Sequence, residues 1–306
     1  MSFSVTILGS GSALPTSRRK PTSQYIQCAG RHFLIDCGEG TQLQMRKYGV
    51  KFQRIDQIFI SHLHGDHYFG LFGLLSTLHL LGREKKLVLY APSPLEQILN
   101  LILKAGNGRF AYEIEFVAVD DKVGQVIYED AKCSVTCIPL EHKIPTYGYV
   151  VRQKAKDRVL NAEKAKADGV SVAYYSKLKK GKNVVTSEGK EVQFIDYTLP
   201  GEPERSYAFC SDTAYSEKLL PFIQEVDVLY HEATFVEALS DRAKVTKHST
   251  AREAARIAKL AKVHHLMLGH LSARYDDGKA HIKEASEIFE SVEVVEDGLT
   301  YLIPQG

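Results

Sequence analysis

The chain carries almost no net charge of either sign. Over 306 residues, 39 Lys and Arg stand against 37 Asp and Glu, a formal +2. The total therefore gives no argument for a polyanionic partner. Long apolar runs are also missing. The longest apolar-rich stretch, 70–81, is too short and too interrupted to span a bilayer. The opening Met1-Ser2-Phe3-Ser4-Val5 enters a strand pattern with no basic segment and no long apolar one behind it, which argues against a secretory leader. Cysteine is sparse. Cys28, Cys37, Cys133, Cys137 and Cys210 are scattered, odd in number and never spaced C-x-x-C. That is the usage of reduced, mostly buried thiols, so the expected compartment is the cytoplasm and no membrane partner is expected. At 44% apolar and 25% charged residues, the chain can build an ample core and global disorder is excluded.

The densest chemistry lies in six residues, His62-Leu63-His64-Gly65-Asp66-His67. They follow an apolar run, 55–60, that reads as a buried strand. Imidazole nitrogen and carboxylate oxygen suit borderline cations such as zinc. His62 and His64 share one side of an extended segment, because side chains there repeat every two residues. Asp66 and His67 lie past the turn at Gly65 and can address a second position. One metal would not need both sets, so the spacing predicts two.

Strand patterns recur at 4–8, 25–28, 31–35, 57–60 and 86–90, with helical patterns at 40–48, 68–81 and 94–105. Strands dominate from 113 to 137. Alternation then returns, with strands at 207–210, 226–230 and 265–268 and a helix over 251–262 that begins in a Thr250/Glu253 capping box. Several strands end in ligand-type residues: Asp36, the His62 cluster, Asp212, His231 and His270. Sites in layered α/β folds form at the carboxyl edges of strands, so these termini predict one shared edge. Runs such as Ile58-Phe59-Ile60 are apolar on both faces, which predicts two packed sheets with helices outside. One stretch departs from this. Residues 152–190 hold eleven Lys and Arg against four Asp and Glu, a local +7 that leaves the remainder at −5. The asymmetry suits a polyanion-binding appendage. We read 152–195 as an inserted flexible arm within a single domain over 1–306; an ordinary exposed helix and hairpin is the alternative.

At these residues the chain resembles the metallo-β-lactamase superfamily and, within it, the ribonuclease Z family of tRNA 3′-end processing endonucleases. The resemblance is carried by Asp36-Cys37-Gly38-Glu39-Gly40-Thr41, the His62–His67 hexapeptide, Glu141-His142-Lys143-Ile144-Pro145 and Phe209-Cys210-Ser211-Asp212-Thr213. His231-Glu232-Ala233-Thr234-Phe235, His248-Ser249-Thr250 and Gly269-His270-Leu271-Ser272-Ala273-Arg274-Tyr275 complete it. The hexapeptide marks the superfamily; the last three elements together mark the narrower family. The implied fold is a four-layer αββα sandwich. The implied cofactors are two zinc ions per subunit, with manganese or cobalt as substitutes. His62, His64 and His142 would hold the first, Asp66, His67 and His270 the second, and Asp212 would bridge them.

The implied function is removal of the 3′ trailer from precursor tRNA, leaving a 3′-hydroxyl on the tRNA and a 5′-phosphate on the trailer. Asp66 would handle the proton of the attacking water, and His248, oriented by Glu232, would protonate the leaving oxygen. The resemblance also implies a homodimer in which the arm of one subunit serves the other. Two segments depart from the family pattern. The arm reads Asp168-Gly169-Val170-Ser171-Val172-Ala173-Tyr174-Tyr175 where relatives often carry a Gly-Pro-rich tip. Pro15-Thr16-Ser17-Arg18-Arg19-Lys20 stands where many relatives have Pro-x-Lys-x-Arg-Asn, a pattern linked to sensing the tRNA 3′ end. Arg19 fits it; Ser17 and Lys20 do not. The alternative on the same fold is a small-molecule phosphodiesterase or arylsulfatase-like hydrolase.

Overall fold

The computed structural model describes residues 3–304. Two seven-stranded sheets face each other. The first runs, edge to edge, Thr300–Leu302, Phe3–Gly9, Ser23–Cys28, Arg31–Ile35, Gln57–Phe59, Leu87–Ala91 and Ile114–Ala118. The second runs Val292–Val294, His265–Gly269, Val228–Glu232, Arg205–Cys210, Thr146–Gln153, Cys133–Leu140 and Val126–Glu129. In each sheet a parallel block adjoins an antiparallel one.

Strand alternation builds the layers. Phe33, Ile35 and Phe59 point inward to meet Tyr149, Phe209, Tyr230 and Met267 in the core between the sheets. Their neighbours Leu34, Ile58 and Ile60 point outward and are covered by the helices Leu71–Leu80 and Pro94–Ala105. On the far side, Ala208, Leu229, Leu266 and Leu268 pack under the helix Ala251–Leu260. Its alanines 251, 254, 255 and 258 are all buried, so their small side chains let helix and sheet approach closely. The Thr250/Glu253 capping box is present. The four layers are the expected αββα sandwich.

The helical pattern expected over 68–81 is broken in two, Gly65–Tyr68 and Leu71–Leu80. At the break, Gly70 donates its N–H to Cys37 O at 2.9 Å. A Cβ on Gly70 would lie 2.1 Å from Gly38 O, so only glycine permits this approach. The contact seats the hexapeptide against the end of the Arg31–Ile35 strand.

Gln153 and Arg205 are register partners on neighbouring strands. Residues 154–204 therefore leave and re-enter the sheet at one point. The excursion holds three short α-helices, a 3-10 helix, two strand pairs and a small core of Ala165, Val170, Leu178, Val184, Val192 and Tyr197. Among the described residues, no helix is long and apolar enough to cross a membrane.

Candidate metal centre

The ligand-type residues gather where strands end. Asp36 follows Arg31–Ile35, the hexapeptide follows Gln57–Phe59, Asp212 follows Arg205–Cys210, and His270 follows His265–Gly269. His142 comes from the loop between Cys133–Leu140 and Thr146–Gln153. Asp36, Asp212 and His270 all have left-handed backbone, with φ of 57°, 61° and 56°. Each costs about 1–2 kcal/mol for a residue with a Cβ. The bend turns each side chain off its strand toward the common edge, and burial on all sides holds it there.

Asp212 stands between two groups. Its Oδ2 lies 3.6 Å from His62 Nε2 and 3.7 Å from His142 Nε2. His64 Nδ1 completes this group, 3.0 Å from His62 Nε2 and 3.2 Å from His142 Nε2. Asp212 Oδ1 faces the other way, 3.1 Å from both His67 Nε2 and His270 Nε2. Asp66 Oδ2 closes the second group at 3.4 and 3.5 Å from the same nitrogens. Within each group the candidate ligand atoms lie within 4.8 Å of one another. All seven positions that the sequence nominated lie at this edge, grouped as His62, His64, His142 and Asp212 and as Asp66, His67 and His270, while Asp212 and His270 also group with His248.

Outer partners fix the ring orientations. His67 Nδ1 bonds Asp36 Oδ2 at 2.6 Å, His142 Nδ1 donates to Lys247 O at 2.8 Å, and His270 Nδ1 meets Thr234 Oγ1 at 3.0 Å. Each leaves Nε2 directed inward, the arrangement that metal-binding histidines need. The donor set fits divalent cations on a direct observation: His67 Nε2 and His270 Nε2 are buried with no aligned hydrogen-bond partner. Inward-facing imidazole nitrogens beside buried carboxylates form a donor set that a divalent cation satisfies.

The electrostatics agree. Burial pushes His62, His64 and His142 below the usual histidine range, which keeps their lone pairs available. Burial opposes charge on His67 too, but Asp212, Asp66 and Asp36 together hold it well above that range. The second group thus carries an excess of negative charge that attracts positive charge.

A further pair borders the centre. His248 Nδ1 lies 2.8 Å from Glu232 Oε1. Glu232 is wholly buried and also accepts from Thr213 N, Thr234 N and Thr234 Oγ1. The His248 ring centroid is 5.0 Å from that of His142 and 5.5 Å from that of His270. Burial disfavours charge on His248, but the Glu232 carboxylate lifts it to about 9. The Glu232 carboxylate thus favours the protonated form of His248, which faces the rim.

His231, which the sequence reading put at a strand end, lies within Val228–Glu232 and takes no part. Alternation places it on the outer face, where Nδ1 bonds Glu232 O at 2.7 Å. Three residues have supporting roles that the sequence did not assign to them. Asp36 fixes His67, and the Asp-Cys-Gly element at the end of its strand was the available signal. Thr234 links Glu232, His270 and His248 through one hydroxyl. Lys247 acts through its backbone carbonyl, for which a side-chain pattern holds no signal.

The sequence profile of the family described as "Anti-Pycsar protein Apyc1" matches residues 3–156. A ribonuclease Z of Parabacteroides distasonis is 45% identical over 297 residues, covering 97% of this chain and 98% of the relative. A ribonuclease Z of Bacteroides fragilis is 43% identical over the same shares of each. Among solved structures, human tRNase Z, short form, superposes with a TM-score of 0.70 at 28% identity, covering 98% of this chain and 99% of that one. The Bacillus subtilis metallo-β-lactamase fold protein YhfI gives a TM-score of 0.70 at 18% identity over 98% of both chains, a likeness of fold alone.

Proposed function

The chain belongs to the ribonuclease Z family, and over residues 3–156 to the family described as Anti-Pycsar protein Apyc1, and from this we infer a metal-dependent endoribonuclease that acts in tRNA 3′ processing. The observation that carries the reading is the two-sided Asp212 carboxylate between two groups of inward-facing imidazoles.

His62, His64 and His142 would hold one divalent cation, Asp66, His67 and His270 a second, with Asp212 shared. Zinc suits the nitrogen-rich first group, and manganese or cobalt is compatible with the carboxylates of the second. Such cations supply acidity to water and neutralise charge on phosphoryl oxygens. The remaining work falls to side chains. Asp66 accepts the proton of the attacking water through its carboxylate. His248 uses Nδ1 to hold Glu232 and so presents Nε2 to the substrate. As the bond from phosphorus to the ribose 3′-oxygen breaks, His248 Nε2 donates its proton to that oxygen. The tRNA leaves with a 3′-hydroxyl and the trailer with a 5′-phosphate. Glu232 balances the imidazolium before transfer and keeps the ring in the donor orientation.

The basic excursion supplies the RNA contact. Its lysines meet backbone phosphates, giving affinity that falls with salt. The working unit is a homodimer in which one arm serves the neighbouring site. An uncovered apolar groove supports this. The helices Leu71–Leu80 and Pro94–Ala105 flank a cavity of about 360 Å³ lined by Phe72, Leu80, Leu99, Ile102, Leu103 and Phe110. Leu80 is 82% exposed there, and a second copy would cover it. Five buried free cysteines suit a reducing compartment, the cytoplasm. The direct test is cleavage of a 3′-extended precursor tRNA with metal supplied. An Asp66→Ala protein that cut as fast as the parent would overturn the mechanism.

A further inference from the structure

The loop over residues 10–22 packs against the segment that follows His270. Leu271 N donates to Ser10 O at 3.2 Å, and Ser12 N donates to Leu271 O at 3.1 Å. Further out, Arg18 Nη1 donates to Asp276 O at 3.1 Å. Loop and segment enclose a cavity of about 100 Å³ lined by Leu14, Thr16, Ser17, Arg18, Ser272 and Tyr275. It lies one residue beyond a candidate metal ligand. Arg19, the residue that matches the family pattern, does not face outward: it is buried, with Nη1 donating to Ser10 Oγ at 2.8 Å and to Val295 O at 2.5 Å. The exposed cation of the loop is Arg18.

A single carboxylate outside the loop fixes both of its ends. Asp297 lies in the turn by which the chain crosses from Val292–Val294 of the second sheet to Thr300–Leu302 of the first. Its Oδ1 accepts from Ser10 N at 2.9 Å and Ser10 Oγ at 2.7 Å. Its Oδ2 accepts from Lys20 N at 2.8 Å and from Gln44 Nε2 at 3.0 Å. The turn is itself tied down: Gly298 N donates to Ile7 O at 2.7 Å, and the Tyr48 hydroxyl donates to Asp297 O at 3.1 Å. All four groups bonded to the carboxylate are used as donors. An asparagine here, flipped either way, would turn an NH₂ against a backbone donor of the loop.

We propose that Asp297 is a positioning residue for the RNA substrate: it holds the 11–20 loop as a wall of the cleft beside His270, and so governs capture of precursor tRNA and not bond cleavage. The inference rests on the tRNA reading above. Its sign separates it from simple electrostatics. Removing a negative charge near a polyanion would by itself tighten binding, whereas releasing the loop weakens it.

The test compares Asp297→Asn with the parent in three measurements: kcat and KM on a 3′-extended precursor tRNA, hydrolysis of bis(p-nitrophenyl) phosphate, and the rate of tryptic cleavage after Arg18 and Arg19. The expected result is a KM for precursor raised by about fivefold or more, the equivalent of at least one net hydrogen bond. kcat and small-diester hydrolysis should stay within about twofold, and the loop should be cut faster. Gln44→Met, which removes one donor, should shift KM and cleavage the same way by less, and it carries the test if Asp297→Asn does not fold. Unchanged KM, or equal loss on both substrates in a folded variant, overturns the inference. If the parent hydrolyses the small diester but cuts no precursor, the tRNA reading fails instead. The tryptic comparison then decides the strut, with unchanged cleavage overturning it.

Discussion

His248 Nδ1 lies 2.8 Å from Glu232 Oε1, and the carboxylate that it meets is sealed from solvent. A buried carboxylate cannot turn to water for compensation, so it holds the imidazolium and lifts its pKa to about 9. The acid role proposed for His248 requires the protonated form. Activity should therefore persist through neutral pH and fall above about 9. Glu232→Gln removes the charge that raises the pKa, so the alkaline limb of the kcat/KM profile should move down toward neutrality. At pH 8 the loss should be roughly 10- to 30-fold. An unmoved limb would remove Glu232 from this role.

Asp36 acts one shell further out, through its 2.6 Å contact with His67 Nδ1. Asp36→Asn should weaken metal retention about 10–100-fold without removing a ligand. Chelator competition on the purified protein, followed by metal release, measures this apart from catalysis.

Excision of 154–204 is permitted by geometry, since Gln153 and Arg205 are neighbours in the sheet. A short glycine bridge in its place should leave hydrolysis of a small phosphodiester near parental. Cleavage of precursor tRNA should fall sharply, and the dependence of RNA binding on salt should become shallower. Equal activity of the excised and parent proteins on precursor tRNA would remove the excursion from substrate binding.

His281 gives a stability prediction away from the metal centre. Its ring is buried, edge-on to Tyr275 with centroids 4.6 Å apart. Burial, helped by Arg19, depresses it to about 4 against a smaller opposing pull from the Ala233 backbone. The unfolded chain binds a proton near pH 6.5 and the folded one does not. This contribution is thus full above about 6.5 and is lost as pH falls toward 4, by roughly 3 kcal/mol in total. Urea unfolding of His281→Phe should show a flatter pH dependence across that window than the parent.

The sequence exposed the site better than it exposed the fold around it. The hexapeptide is local: six residues carry four ligands, and strand periodicity with the turn at Gly65 separates them into two groups. His142, Asp212 and His270 each stand beside an ordinary strand, and only resemblance paired them with it. The two-sheet sandwich was readable from doubly apolar strands. The crossing between sheets was not, because Ile114–Ala118 and Val126–Glu129 carry similar patterns yet belong to different sheets. The break at Gly70 comes from a tertiary contact with Gly38 and leaves no mark in helical periodicity. The small core under Tyr197 in the basic segment is spread too thinly over 165–197 to give a period. The carbonyl of Lys247 that orients His142 belongs to the backbone, so no residue type announces it.

The central claim is that two divalent cations, shared through Asp212, enable phosphodiester cleavage. Metal content per chain, measured on the same preparation as cleavage of a precursor tRNA, tests it most directly. The account predicts two equivalents at full activity, loss of cleavage as they are stripped, and recovery when they are restored. Full cleavage by metal-free protein would contradict it.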